Sequence, residues 1–99
     1  MVARRAFGVL ALAAGLVPSL ACGRRATEAD CRLIVDKSVE LQMKEMSQTS
    51  ESVIKERAEQ VRAELGDEIK NCEGRRITDR TVACVQAATT TRELDRCLR

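Results

Sequence analysis

The sequence predicts an all-α fold: a small disulfide-stapled helical hairpin plus two shorter helices, after a cleaved signal peptide. Apolar residues recur every three or four positions over residues 31–46 and 54–72, and no segment alternates as a half-buried strand does. Four cysteines lie well beyond an N-terminal export signal, a pattern typical of a disulfide framework. A chain of 99 residues allows one small domain.

Residues 1–21 have the composition of an export signal. Arg4 and Arg5 precede an apolar run over residues 7–17. That run is too short to span a bilayer, which takes about 20 residues, and fits a signal-peptide core of about 7–15. We therefore expect residues 1–21 to be removed on export, and the two arginines leave the general and the twin-arginine routes both open.

The segment Ser19–Cys22 follows the apolar run and resembles the lipobox of bacterial lipoproteins. In that family the cysteine becomes the new N-terminus and carries the lipid. The resemblance implies lipid attachment at Cys22, a tether over residues 22–26, and anchoring in the cell envelope facing the periplasm. Gly23 after the lipidated cysteine resembles outer-membrane sorting. Ordinary signal peptidase also accepts a site after Ala21, so a secreted protein stays the alternative.

Residues 27–99 are predicted to form a four-helix, cysteine-containing domain that begins with a hairpin. The segment Thr27–Asp30 is a near-capping box for the first helix. The polar residues 47–50 predict the turn. The second helix extends over about Glu51–Cys72, where Gly66 weakens it by about 1 kcal/mol relative to alanine.

Two shorter helices are predicted to follow the hairpin. The third starts at Thr78, with Ile77 and Val82 as a hydrophobic staple across its first turn. Three consecutive β-branched threonines at residues 89–91 interrupt it. The segment Thr90–Glu93 is a full capping box and predicts the start of the fourth helix.

With Cys22 carrying lipid, the domain retains Cys31, Cys72, Cys84 and Cys97. Antiparallel hairpin geometry favours Cys31–Cys72 with Cys84–Cys97, and Cys31–Cys97 with Cys72–Cys84 stays open. The gaps are much longer than the C-x₂₋₄-C pairs of zinc sites, so no metal site is predicted. The absence of C-x-x-C argues against thiol–disulfide catalysis.

The composition weighs against several classes of function. The chain has no histidine, the commonest acid–base catalyst. Its one aromatic residue, Phe7, lies in the signal, which leaves no platform for stacking nucleic-acid bases. Removing Arg4 and Arg5 leaves equal numbers of basic and acidic side chains. We expect no catalytic residue, no cofactor and no nucleic-acid partner.

The sequence therefore favours a non-catalytic, lipid-anchored envelope protein that binds or scaffolds another envelope protein. A lipobox followed by a short four-cysteine helical domain resembles small lipoproteins of Gram-negative bacteria, and this resemblance implies no catalytic residue. Leu33, outside the apolar face of the first helix, and the basic tail around Arg92, Arg96 and Arg99 are candidate contact surfaces. The alternative is a secreted periplasmic thiol–disulfide protein, small-ligand carrier or chaperone-like helical protein.

Overall fold

The computed structural model describes residues 23–99, so the predicted signal peptide over residues 1–21 and the lipid attachment at Cys22 lie outside the described residues. Over the described range the chain is helical apart from one short antiparallel ribbon, which confirms the all-α class. In chain order the elements are β1 (Arg24–Arg25), α1 (Glu28–Glu45), α2 (Glu51–Glu64), α3 (Gly66–Cys72), β2 (Arg76–Ile77), α4 (Asp79–Ala87) and α5 (Thr91–Cys97).

Helix α1 begins and ends where the sequence predicts. The Thr27 hydroxyl accepts a hydrogen bond from the Asp30 backbone N–H at 3.1 Å, and the Asp30 carboxylate accepts one from the Thr27 N–H at 2.8 Å. This complete capping box satisfies two donors that a helix start would otherwise leave unpaired. At the other end Ser47 has a φ of 66°, a left-handed conformation typical of the residue that closes a helix.

The predicted second helix is divided into α2 and α3 at Leu65, beside the weak point expected at Gly66. The Leu65 N–H still donates to the Val61 carbonyl at 2.8 Å, and the Ile69 N–H donates to the Leu65 carbonyl at 2.9 Å. The two helices therefore follow each other without a loop. Because of this division, the described residues form five helices where the sequence predicted four.

A short ribbon that the sequence did not predict connects the start of the domain to the end of α3. Strand β1 pairs antiparallel with β2. Next to them, the Ala26 N–H donates to the Arg75 carbonyl at 2.7 Å and the Gly74 N–H donates to the Ala26 carbonyl at 2.9 Å. The sequence predicted a tether over residues 22–26, but its described part, residues 23–26, is hydrogen-bonded to the domain.

Most of the buried hydrophobic side chains form two clusters, both of which include residues of α1. The cluster against α4 and α5 consists of Leu41, Val85, Ala88 and Leu94. The cluster against the ribbon and α3 consists of Ala26, Cys31 and Ile69. Neither contains an aromatic ring, so both cores depend on small and aliphatic side chains.

Leu33 packs half-buried against the Val85 cluster, so the expectation that it lies outside the packed surface of α1 is wrong. The reason is that α1 is covered from two directions. Helices α4 and α5 contact it on one side, and α2 and α3 contact it on another. A second apolar face is therefore needed on α1, and Leu33 belongs to it.

Replacing Leu33 with aspartate is expected to lower the free energy of unfolding by about 1–3 kcal/mol, because a carboxylate there loses water without gaining a partner. Val53→Asp is the matched control. Val53 is 39% exposed in the first turn of α2, where a negative charge is tolerated. Urea denaturation followed by circular dichroism measures both variants. Equal stability of Leu33→Asp and the control would contradict this packing.

Candidate functional site

Two disulfides close the domain in the pairing that the hairpin geometry favoured. Cys31, near the start of α1, is bonded to Cys72 at the end of α3, with Cα atoms 6.1 Å apart. Cys84 in α4 is bonded to Cys97 at the end of α5, with Cα atoms 5.7 Å apart. In the chain-entropy account the longer loop contributes about 4 kcal/mol and the shorter about 3 kcal/mol. These values are large beside what an aromatic-free core of this size supplies.

The Arg24 guanidinium lies between two carboxylates that are distant in sequence. Its Nη1 and Nη2 donate to the Asp30 carboxylate at 2.6 and 3.1 Å, which is a bidentate pair. Its Nε donates to Asp79 Oδ1 at 2.8 Å. Arg24, two residues after the predicted lipid-bearing Cys22, therefore joins the first turn of α1 to the first turn of α4.

Asp30 is the most enclosed of these charged groups, since only 9% of the residue is exposed. Hydrogen bonds from the Arg24 guanidinium and then from the Thr27 backbone hold the pKa of Asp30 well below its usual range. Both bonds favour the ionised form and outweigh the effect of burial. The carboxylate thus acts as helix cap and as ion-pair partner at once.

An open groove of about 480 Å³ lies along the α1–α2 hairpin. Most of its lining residues are apolar, and the polar ones include Arg57 and Glu64. Met46, at the end of α1, is 69% exposed there. Methionine adapts its shape to irregular partners, so this surface suits an apolar segment or ligand. The apolar lining residues are Ile34, Val35, Val39, Met43, Met46, Val61 and Leu65.

The structure brings only some of the sequence-predicted residues together. The four domain cysteines form two separate pairs, one between α1 and α3 and the other between α4 and α5. Arg92, Arg96 and Arg99 are exposed at the α5 end of the molecule. Over residues 23–99 no group of three metal-ligating side chains occurs, and no helix is long and apolar enough to cross a membrane.

Sequence reasoning missed the two ion pairs that Arg24 makes with Asp30 and Asp79. The Thr27–Asp30 capping box was visible as a local motif, but Arg24 and Asp79 are 55 residues apart and no local pattern links them. Comparisons with family models, curated proteins and solved structures find no match to this chain. The interpretation therefore depends on the chemistry of its own residues.

Asp30→Asn is expected to lower the free energy of unfolding at pH 7 by about 2 kcal/mol, because a charge-assisted bidentate bond is lost. The wild-type contribution is fully present above pH 4, near the ordinary pKa of an aspartate, and declines as the pH falls through the lowered pKa of Asp30. The variant should therefore show a smaller loss of stability below pH 4. Chemical denaturation at several pH values tests this.

Glu28→Gln is the control for Asp30→Asn. Glu28 lies in the same first turn and pairs with Arg32 at 2.6 Å, but both side chains are about half exposed. Exposed pairs contribute about 0–1 kcal/mol. A Glu28→Gln effect as large as that of Asp30→Asn would contradict the special role of the Arg24–Asp30 pair.

Proposed function

We propose that this is a non-catalytic lipid-anchored envelope protein, attached through Cys22 to a periplasm-facing membrane surface, which binds or scaffolds another envelope protein. The outer membrane is the proposed location. Support comes from the lipobox-like segment Ser19–Cys22 together with one structural observation. Gly23, the residue after the proposed lipid attachment, already lies against the backbone of Ile77.

Gly23 is part of the packed ribbon. Its φ is +79°, and a Cβ on it would come within 2.9 Å of the Ile77 carbonyl oxygen. Arg24 follows with its ion pairs to Asp30 and Asp79. A lipid on Cys22 would therefore hold the domain directly at the bilayer surface, with no flexible spacer to let it swing away. Such a short link suits a protein that presents a fixed surface from the membrane.

The α1–α2 groove supports the binding part of the proposal. A domain with so small a core needs its hydrophobic side chains inside, yet Met46 is exposed in the groove and Met43 and Val61 beside it are only half-buried. Apolar surface framed by polar residues is typical of a contact site. We propose the groove as the surface that receives the partner.

The alternative is a secreted periplasmic carrier or thiol–disulfide protein. The groove volume of about 480 Å³ favours the carrier form, since it lies in the range of small-ligand sites. A redox role would need a disulfide that exchanges readily. Cys31 is only 2% exposed, which shields Cys31–Cys72, whereas Cys84 of the other disulfide is exposed. Resistance of all four domain cysteines to alkylation before reduction would argue against the redox form.

Cys22→Ser is expected to release the protein from the membrane fraction, because the hydroxyl cannot receive the thioether-linked lipid. Cell fractionation with immunoblotting locates the protein, and intact mass measurement shows whether acyl groups are present. Ser19→Ala is the matched control, since it retains Cys22 and a small residue three positions earlier. Wild-type protein that is already soluble and free of acyl mass would overturn the lipid-anchor proposal.

A photo-crosslinking amino acid at Met46 is expected to form a discrete adduct with one envelope protein in intact cells. The same amino acid at Glu59 is the control, because Glu59 is exposed on the face of α2 turned away from Arg57 and Val61. An adduct at both positions, or at neither, would contradict partner binding in the groove. Loss of the Met46 adduct on adding Arg57→Glu would place the partner at the rim of the groove.

A further inference from the structure

The two disulfides differ in how open they are to solvent. Cys84 of the Cys84–Cys97 pair is exposed, whereas Cys97 is half-buried against the cluster that contains Val85. In the other pair Cys31 is 2% exposed and Cys72 is half-buried, so neither residue is exposed. An attacking thiolate must reach a sulfur atom, so access limits the rate of thiol–disulfide exchange. Exchange is therefore favoured at Cys84–Cys97.

An open cleft of about 290 Å³ lies beside the exposed disulfide, and both of its cysteines line this cleft. One cation, Arg96, and one carboxylate, Glu93, also line it. The Glu93 carboxylate is already bound by Thr89, whose N–H and hydroxyl donate to Oε2 at 2.7 and 2.9 Å. The two charges balance, so a small thiolate can approach the disulfide without net repulsion.

Helix α5 depends on its attachment to the domain. It contributes one buried side chain, Leu94, to the core. Its start is connected to α1 by the two hydrogen bonds from Thr91 to the Glu45 carboxylate. A helix of seven residues is well below the length that is marginally stable alone, about 12–15 residues. The Cys84–Cys97 bond is the covalent part of that attachment.

Opening Cys84–Cys97 leaves the other half of the framework in place. The bond joins residues 13 positions apart, against 41 for Cys31–Cys72. In the chain-entropy account the shorter loop contributes less stability. The ribbon and the start of α1 retain their own disulfide and the cluster around Ala26. The effect of reduction is therefore expected to be local to α5.

We propose that Cys84–Cys97 is a thiol-exchange site whose reduction releases α5 from the domain. A dithiol reductant supplies the electrons. Its first thiolate bonds to Cys84 Sγ as the Cys84–Cys97 bond breaks, and Cys97 leaves as a thiolate that takes up a proton. The second thiolate of the reductant then attacks the mixed disulfide, and Cys84 leaves and takes up a proton. The reductant becomes a disulfide, and the protein gains two electrons and two protons.

This exchange is stoichiometric, and it changes a surface of the protein instead of a substrate. Leu94 packs with Leu41 and Val85, which are 3% and 0% exposed. Release of α5 uncovers these side chains. Leu94 also lines a cleft together with Met46, so the uncovered apolar surface lies next to Met46 on α1. The inference depends neither on the lipid anchor nor on partner binding in the groove.

Graded reduction of the intact chain tests the order of opening. The protein is isolated without reductant, treated with dithiothreitol and alkylated at intervals, and peptide mass spectrometry locates each modified cysteine. We expect Cys84 and Cys97 to become modified at least about tenfold faster than Cys31 and Cys72, because a shielded bond reacts only in locally opened molecules. Equal rates, or earlier opening of Cys31–Cys72, would overturn the inference.

Hydrogen exchange tests the release of α5. After selective reduction, the amides of residues 91–97 are expected to exchange at least about tenfold faster, while those of α1 keep their protection. Unchanged exchange at residues 91–97 would overturn the release, and loss of protection throughout the chain would overturn its local character. Cys84→Ser with Cys97→Ser should show the released pattern without reductant. A further increase at residues 91–97 when dithiothreitol is added to this variant would assign control of α5 to Cys31–Cys72 and overturn the inference.

Glutathione, a monothiol, tests which sulfur atom is attacked. Brief treatment followed by an acid quench is expected to give glutathione on Cys84 and a free thiol on Cys97, because Cys84 is the exposed residue of the pair. Peptide mass spectrometry distinguishes the two cysteines. Glutathione mainly on Cys97 would overturn Cys84 as the point of attack.

Discussion

The Cys31–Cys72 disulfide is the constraint that keeps the start of α1 and the end of α3 together. It joins the start of α1 to the end of α3 at the point where the ribbon also packs. Few large side chains are available there, since the buried cluster contains Ala26 and Ile69 but no aromatic ring. The crosslink reduces the conformational freedom of the unfolded chain and so compensates for the small apolar area. The ribbon is thereby held against the helices.

Helix α1 transmits that constraint to the rest of the domain. At its far end the Glu45 carboxylate accepts hydrogen bonds from the Thr91 N–H at 3.0 Å and the Thr91 hydroxyl at 2.9 Å, which connects α1 to the start of α5. These bonds lower the pKa of Glu45. Midway, Lys37 Nζ donates to the Gln86 carbonyl at 3.1 Å. These hydrogen bonds from the middle and the end of α1 thus add to the small apolar core that packs against the same helix.

The local features of this fold were predictable because their signals lie within a few residues. The capping box at Thr27 and the cap at Thr90 each depend on residues three positions apart. The turn after Met46 is marked by the polar run over residues 47–50. Helix direction favoured the observed disulfide pairing but left Cys31–Cys97 with Cys72–Cys84 open. The ribbon was not predicted, since two-residue strands are too short to show alternation. Leu33 was misplaced because helical periodicity reveals one apolar face and α1 has two.

The Arg24 ion pairs also fix the orientation of β1 on the domain. Gly23 lies against the backbone of Ile77, so the chain already has a defined direction where it enters this strand. Arg24 uses the inward face of that strand to bind Asp30 and Asp79, and Arg25 uses the outward face. Adjacent arginines therefore have different surroundings because a strand turns successive side chains to opposite sides. The same alternation that packs the ribbon on the domain determines which charges it exposes beside Cys22.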